Sequence, residues 1–150
     1  MLLLIFLGIK TWMQRDMVAG IPPPINGTQL NGEAFNLQAM QGKPVLLHFW
    51  ASWCGICKME QDSIEALSRD HAVITVAMQS GSRDEIKVYM NEQQLSFPVL
   101  VDEHALLAHR YGVKAVPSTF IINPNGQISF RESGYTTEWG LRIRIWLATI

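Results

Sequence analysis

The chain has 150 residues, of which 48% are hydrophobic and 17% charged, and its formal net charge is −1 at pH 7. A chain of this length buries a full core in one domain without disulfide staples, so its two cysteines are free to do chemistry. The low net charge and the lack of a basic run exclude nucleic acid as an expected partner.

The first 21 residues form an N-terminal segment that starts with an apolar run, Leu2 to Ile9. As a helix the run would extend about 12 Å, against about 30 Å of bilayer hydrocarbon, so it is too short to span alone. Three interpretations are open: the outer half of a signal anchor, an interfacial segment, or a buried strand or helix. We favour the anchor, with Trp12 at the membrane interface and Arg15 beyond it. An anchor would place the domain in the periplasm or an equivalent extracytoplasmic space, attached to the inner membrane.

A proline run and a turn dipeptide open the rest of the chain. Pro22 to Pro24 predicts a stiff spacer, after which we expect one domain over residues 22–150. Asn31-Gly32 lies between two short extended stretches, 25–30 and 33–37, and this pattern predicts a β-hairpin.

Apolar runs and helical patterns then alternate along the chain. Strands are predicted over Val45–Trp50, Val73–Met78, Phe97–Asp102, Thr119–Ile122 and Gln127–Arg131. Helices are predicted over Cys54–Ser68, from a capping box at Ser82 to about Gln94, over Ala105–Tyr111 and over Thr137–Thr149. This order predicts an α/β fold with a mixed central sheet flanked by helices.

Cys54 and Cys57 lie where the strand 45–50 passes into the first of these helices. A Cys-x-x-Cys at such a junction indicates a reactive dithiol, because a helix N-terminus favours the thiolate form. We expect Cys54 to face solvent and to act as the nucleophile, and Cys57, one turn further in, to resolve the mixed disulfide. A structural zinc site needs about four ligands, and no second Cys/His cluster accompanies the pair, so no metal is expected.

Two ionisable side chains are expected close to Cys57. Glu60 lies three residues on, on a helical stripe with Ile56 and Leu67, and a partly buried carboxylate with a raised pKa can exchange a proton with the thiol. His48 lies in the buried strand, where a cationic imidazole would stabilise the thiolates and make the pair more oxidising. A solvated glutamate and a satisfied core histidine remain open as alternatives.

Three segments resemble the thioredoxin superfamily and, within it, the membrane-anchored extracytoplasmic group typified by TlpA, ResA and the DsbE-like cytochrome c maturation thioredoxins. They are Phe49–Glu60 with Trp-Cys-x-x-Cys, Gly112–Phe120 with Val-Pro-Ser-Thr-Phe, and a helix and strand inserted between Ser82 and Asp102. The resemblance covers residues 22–149. It implies the thioredoxin fold, with an N-terminal hairpin and a central α/β insertion.

The resemblance also implies roles for individual residues. Pro117 is implied to follow a cis peptide bond and to face the cysteines, and the backbone of Val116 is implied to dock the substrate. Trp53 is implied to flank the nucleophile on the substrate side, and a functional glutamate is implied at the position of Glu60.

The sequence departs from the family pattern beside the dithiol. Ile56 stands where this group has a proline before the second cysteine, and His48 stands where thioredoxin has a buried aspartate. We therefore expect His48 and the dipeptide Gly55-Ile56 to tune the redox potential.

These features together predict a thiol–disulfide oxidoreductase that reduces extracytoplasmic client proteins and needs no cofactor beyond its own redox-active disulfide. The resemblance implies apocytochrome c or other cysteine proteins as clients, a DsbD-type membrane electron donor, and a monomer. Two alternatives stay open: a disulfide oxidase of the same fold, and a copper-binding assembly factor, although relatives of that class use a three-residue spacer between their cysteines. Peroxidase activity would need a cysteine in a different loop.

Overall fold

The computed structural model covers residues 1–150. Its helices are α1 (Leu2–Gln14), α2 (Gly55–Asp70), α3 (Arg83–Glu92), α4 (Leu106–Arg110) and α5 (Glu138–Thr149). Its strands are β1 (Asn26–Thr28), β2 (Ala34–Asn36), β3 (Val45–Trp50), β4 (Ala72–Met78), β5 (Val99–Asp102), β6 (Ser118–Ile122) and β7 (Ile128–Ser133). A 3₁₀ turn, Leu37–Met40, follows β2.

Five strands form one mixed sheet in the order β5-β4-β3-β6-β7. The strands β3, β4 and β5 run parallel, while β6 pairs antiparallel with both β3 and β7. The strands β1 and β2 form a separate antiparallel hairpin, in which Thr28 pairs with Ala34. The predicted α/β class, the mixed sheet and the N-terminal hairpin are thus confirmed.

Both faces of the sheet are covered, and β3 in its centre is buried along its whole length. On one face Leu46 and Trp50 pack in a core with side chains of α2, α3 and α5. On the other face Leu47 and Phe49 pack in a second core with the hairpin and the region of α4. Because side chains alternate along a strand, His48 lies on the face that packs against α2.

The predicted elements are present with small shifts at their ends. The Ser82–Glu85 capping box forms at the start of α3, and the C-terminal segment is a helix, as predicted. The helix α2 begins at Gly55 because Cys54 is its N-cap residue.

The N-terminal segment is helical but not buried. No residue of α1 lies in the core, so the interpretation of this run as a buried element is wrong. None of the helices combines the length and the apolar character that crossing a membrane requires.

The linker after α1 packs on the domain instead of spacing it from the helix. Met17 is buried in the second core, and the amide of Val18 donates to the carbonyl of Tyr111 at 3.1 Å. The hydroxyl of Tyr111 in turn donates to the carbonyl of Pro23 at 2.6 Å. Contacts with the domain therefore begin before residue 22, and the Pro22–Pro24 run is held rather than free.

Candidate active site

Cys54 lies at the end of β3 and caps the first turn of α2. Its Sγ accepts a hydrogen bond from the backbone N–H of Cys57 at 3.2 Å, and both cysteines are free thiols. The amide of Cys54 is itself held by the carbonyl of Ala51 at 3.2 Å. The sulfur therefore takes the place of the usual capping oxygen, at the end of the helix where partial positive charge stabilises an anion.

Cys54 is less exposed than expected from the sequence. It retains only 8% of its accessible surface, and Cys57 retains 3%. The carbonyl oxygen of Val116 accepts a hydrogen bond from the thiol of Cys54, with 3.6 Å between oxygen and sulfur. The exposed part of Cys54 is therefore a small opening, and it lies beside the loop that contains Val116.

The loop 115–118 closes one side of the site. Its Val116–Pro117 peptide bond is cis, as the resemblance implied. The carbonyl of Pro117 accepts from the amide of Gly134 at 2.8 Å, and the hydroxyl of Ser118 donates to the carbonyl of Ala115 at 2.7 Å. These bonds hold the Val116 carbonyl in place beside Cys54.

Cys57 is an inner thiol that resists ionisation. Burial raises its pKa, and the hydrogen bond with Cys54 and the nearby carboxyl of Glu60 raise it further. A thiol in this environment attacks only when a neighbouring group accepts its proton.

Glu60 has no exposed surface, and neither of its carboxylate oxygens has a hydrogen-bond partner. Burial raises its pKa to about 8, and the nearby backbone amide of Thr136, which does not form a hydrogen bond of normal geometry, opposes this shift only in small part. The alternative of a solvated glutamate on the helix surface is therefore wrong. The buried side of α2 contains Cys57, Glu60 and Ile64, and Leu67 of the predicted stripe is buried as well. Only Ile56, which is 51% exposed, lies off the buried side, contrary to the prediction.

His48 is buried beside the dithiol, in surroundings that disfavour its cationic form. Its Nδ1 lies 2.9 Å from the hydroxyl oxygen of Thr119, and burial lowers its pKa to about 3. The hypothesis of a cationic imidazole that stabilises the thiolates is therefore not supported, because no carboxylate is paired with this ring to offset the loss of solvent. A small cavity connects the ring with the inner thiol; its lining residues are His48, Trp50, Cys57, Gln61, Ile64 and Phe97.

Trp53 and Gly55 flank the nucleophile on the outer side. The ring of Trp53 is 62% exposed, and its Nε1 donates to the carbonyl of Gln79 at 2.9 Å, which fixes the indole beside the opening. Gly55 begins α2 with open space where a Cβ would lie, so sterics alone do not require glycine there. Trp53, Gly55 and Ile56 thus form the surface next to Cys54.

The structure adds Tyr89 and Gln61, which the sequence did not identify. The ring of Tyr89 stacks on Trp50 with centroids 5.4 Å apart, and its hydroxyl donates to Gln61 at 2.9 Å. Burial raises the pKa of Tyr89, and the charges of Cys57 and Cys54 raise it further, so this ring lies within electrostatic range of the dithiol. Gln61 could have been found from its position one turn after Cys57, but nothing in the sequence connects Tyr89 with the site.

No group of three or more His, Cys, Asp or Glu side chains is arranged so that it could hold a metal ion. The copper-binding alternative therefore has no clustered donor set, and the Cys54–Cys57 pair stands by itself as a dithiol.

Comparisons with known proteins agree with this geometry. The family model for the AhpC/TSA family matches residues 20–131. The chain is 33% identical to the thioredoxin-like protein YneN of Bacillus subtilis, over 77% of this chain and 71% of that protein. It is 32% identical to the thiol-disulfide oxidoreductase ResA of the same organism, over 72% of this chain and 63% of ResA.

Solved structures share the fold at lower identity. A thiol:disulfide interchange protein of the thioredoxin family from Chlorobium tepidum superposes with a TM-score of 0.76, at 20% identity. The match covers 87% of this chain and 97% of that structure. The thioredoxin-like architecture expected from the sequence is therefore confirmed.

Proposed function

This chain belongs to the AhpC/TSA family, and from that premise we propose that it is a thiol–disulfide oxidoreductase that reduces client disulfides through Cys54 and Cys57. The observation that carries the proposal is the sulfur of Cys54 at the N-cap of α2, held by the Cys57 amide at 3.2 Å. The name of the relative ResA supports the reaction class. Peroxide chemistry is not part of the proposal, because both cysteines of the chain lie in one Cys-x-x-Cys.

The first half of the reaction takes place at Cys54. Its thiolate attacks one sulfur of a client disulfide, a bond forms between Cys54 and the client, and the second client sulfur leaves as a thiolate that takes up a proton. The backbone of Val116, next to the sulfur, is positioned to bind the client chain, and the exposed ring of Trp53 borders the same opening.

The second half depends on Cys57 and Glu60. Cys57 gives its proton to the carboxylate of Glu60 and attacks the sulfur of Cys54, which releases the reduced client and leaves the Cys54–Cys57 disulfide. Glu60 suits this step because its pKa of about 8 lets it both accept and return a proton near neutral pH. The client gains two electrons, and the dithiol loses them.

The neutral state of His48 supports a reductase over the oxidase alternative. A cation beside the dithiol would stabilise the thiolates and favour the reduced form of the pair, which is what makes a strong oxidant. With its pKa lowered to about 3, the His48 ring carries no charge at physiological pH. The dipeptide Gly55-Ile56, in which Ile56 departs from the family pattern, then tunes the potential.

Location, clients and electron donor form the finer part of the proposal. The exposed apolar helix α1 supports attachment to a membrane and a domain on its extracytoplasmic side. Outside the cytoplasm the oxidised pair must be reduced again by a dedicated donor, for which a DsbD-type membrane protein is suited. Apocytochrome c and other cysteine proteins are the proposed clients of the monomeric domain.

Insulin reduction by dithiothreitol tests the enzymatic proposal. Wild type is expected to accelerate the reaction, Cys54→Ser is expected to abolish the acceleration, and Asp62→Asn, an exposed change on the same helix, is the matched control. Equal rates for wild type and Cys54→Ser would reject the enzymatic proposal.

The reduction potential distinguishes the reductase from the oxidase. A value close to about −270 mV would support the reductase, and a value close to about −120 mV would support the oxidase. Mixed disulfides trapped with Cys57→Ala would identify the client.

A further inference from the structure

The outward side of α5 carries an apolar stripe that no other element covers. Its members, here named the α5 outer stripe, are Trp139 (75% exposed), Ile143 (55%), Trp146 (64%), Leu147 (43%) and Ile150 (86%). With about 100° of rotation per residue, these positions fall within roughly one third of the helix circumference. Arg142 and Arg144 border the stripe on its two sides, while the opposite side of the helix packs in the core through Leu141 and Ile145.

The helix α1 is a second uncovered apolar surface. Its side chains before Lys10 are apolar on every side of the helix and exposed: Leu2 85%, Leu3 68%, Leu4 72%, Ile5 53%, Phe6 62%, Leu7 48% and Ile9 55%. The apolar part ends at Lys10, and Trp12 follows with the guanidinium of Arg15 5.5 Å from its ring centroid.

Polar residues next to the two surfaces converge on one residue of the edge strand β7, Glu132. Lys10 pairs with Oε2 of this carboxylate at 2.7 Å, and Arg144 pairs with Oε1 at 3.0 Å. Gln14 of α1 also donates to Oε2, at 3.3 Å. Since β7 is the last strand of the sheet and both helices contact it, α1 and α5 both border this edge of the molecule.

We propose that this edge lies on a lipid surface, with the α5 outer stripe in the plane of the membrane interface while α1 enters the apolar layer. The proposal rests on the membrane location proposed above, not on the redox chemistry. It adds a second contact and therefore a fixed orientation of the domain.

The composition of the two helices favours lipid over a protein partner. Trp139 and Trp146 are the residue type that concentrates at membrane–water interfaces. The arginines that border the stripe hold their charges in ion pairs, Arg142 with Asp70 and Glu138 and Arg144 with Glu132, and their alkyl stems can cover the margins of the stripe. A helix that is apolar on every side, as α1 is before Lys10, fits a medium that surrounds it better than a groove that covers one side.

Binding of the full chain to vesicles tests the proposal. The vesicles contain phosphatidylcholine and phosphatidylglycerol, and the test variant is Trp139→Gln/Ile143→Gln/Trp146→Gln. We expect its partition coefficient to fall at least about tenfold, because each change removes apolar side-chain burial in the interface. The matched control is Val88→Gln/Leu106→Gln, which removes comparably exposed apolar side chains from α3 and α4. We expect it to change partition less than about twofold.

Self-association and the redox activity are measured on the same variants. Unchanged partition of the triple variant would mean that α1 alone binds the vesicles, and would overturn the proposal. It would also be overturned if wild type self-associates without vesicles, the triple variant does not, and both bind vesicles equally, because the stripe would then be a protein interface. Insulin reduction without vesicles is expected to be equal in all variants, so a failure of the membrane proposal is distinguishable from a failure of the enzymatic one.

Discussion

Glu60 has a pH-dependent effect on stability because it is buried without a hydrogen-bond partner. In the unfolded chain its carboxyl ionises near its ordinary pKa of 4.5, whereas in the folded protein it keeps the proton up to about 8. Unfolding therefore releases a proton between these values, and the free energy of unfolding falls as pH rises through this window. Below pH 4.5 the Glu60 carboxyl is protonated in both the folded and the unfolded state, so it no longer lowers the free energy of unfolding.

Glu60→Gln is expected to remove this dependence. From pH 4 to pH 8 the wild type should lose stability relative to Glu60→Gln, by about 4 kcal/mol at most, since each pKa unit corresponds to about 1.4 kcal/mol. Urea unfolding at pH 4, 6 and 8 measures the difference, with Asp62→Asn as the exposed control on the same helix. Parallel stability curves for wild type and Glu60→Gln would show that the Glu60 carboxyl ionises normally in the folded state.

His48 gives a contrasting prediction, because burial lowers its pKa instead of raising it. The ring is neutral both above and below pH 6.5, so it should add no proton to the redox equilibrium of the dithiol. We expect the reduction potentials of wild type and His48→Asn to differ by a constant amount between pH 5 and pH 8. A difference between the two reduction potentials that changes with pH across this range would show that the His48 ring takes up a proton.

At the scale of the elements, Glu65 ties α2 to the segment that leads into β5. Its carboxylate accepts from the amide of Ser96 at 3.0 Å, from the hydroxyl of Ser96, and from the amide of Phe97 at 3.0 Å. Glu65→Ala leaves these donors unpaired, and we expect it to lower the free energy of unfolding by about 2–3 kcal/mol. Chemical denaturation measures this loss, and Asp62→Ala on the same helix should lose much less.

Hydrogen exchange tests the cause of that loss. In Glu65→Ala the amides of Ser96 and Phe97 should exchange faster, while the Ile86 amide, which bonds to Ser82 within the start of α3, should not change. Unchanged protection of Phe97 would show that the carboxylate does not hold this segment.

Interactions between near neighbours in the sequence could be predicted, and those between distant residues could not. The Ser82–Glu85 capping box joins residues three apart, so composition and spacing identify it. The bond from Phe97 to Glu65 joins residues 32 apart, and the stacking of Tyr89 on Trp50 joins two elements of the fold. Neither interaction leaves a local pattern in the sequence, because each of its partners looks like an ordinary residue of its own helix, strand or loop.

The same limit applies within the active site. The Cys-x-x-Cys spacing and the helical offset of Glu60 were enough to predict that Cys54, Cys57 and Glu60 lie together at the start of α2. These positions follow one another on a single helix, so local spacing fixes their arrangement. The placement of Ile56 on the buried stripe was wrong, because the exposed side of α2 depends on how the helix is rotated against the sheet. The charge of His48 could not be predicted from the sequence, since it depends on how completely other elements remove solvent from the ring.

At the scale of the whole molecule, the chain after α1 is fixed to the domain where it passes the end of α4. Gly112 has a φ of +69°, and a Cβ added there would lie 1.8 Å from the carbonyl oxygen of Asp16. Lys114 holds Asp16 from the same loop, with Nζ 2.7 Å from its carboxylate. The position of α1 relative to the sheet therefore depends on a close approach that only glycine permits.

Gly112→Ala is expected to separate this linker from the domain. Its matched control is Gly32→Ala, which has a φ of +92° but no neighbouring atom within 4 Å of an added Cβ. Both changes carry the left-handed backbone penalty of about 1–2 kcal/mol, so any further loss in Gly112→Ala reports the clash with Asp16. We expect this further loss in the free energy of unfolding to reach about 2 kcal/mol, measured by thermal unfolding. We also expect trypsin to cut faster after Arg15, because the hydrogen bond from the Val18 amide to the Tyr111 carbonyl breaks. If the two variants unfold alike and the Arg15 site stays protected in both, the close approach at Gly112 does not hold the linker, and the burial of Met17 and the ion pair of Lys10 with Glu132 are enough to couple α1 to the domain.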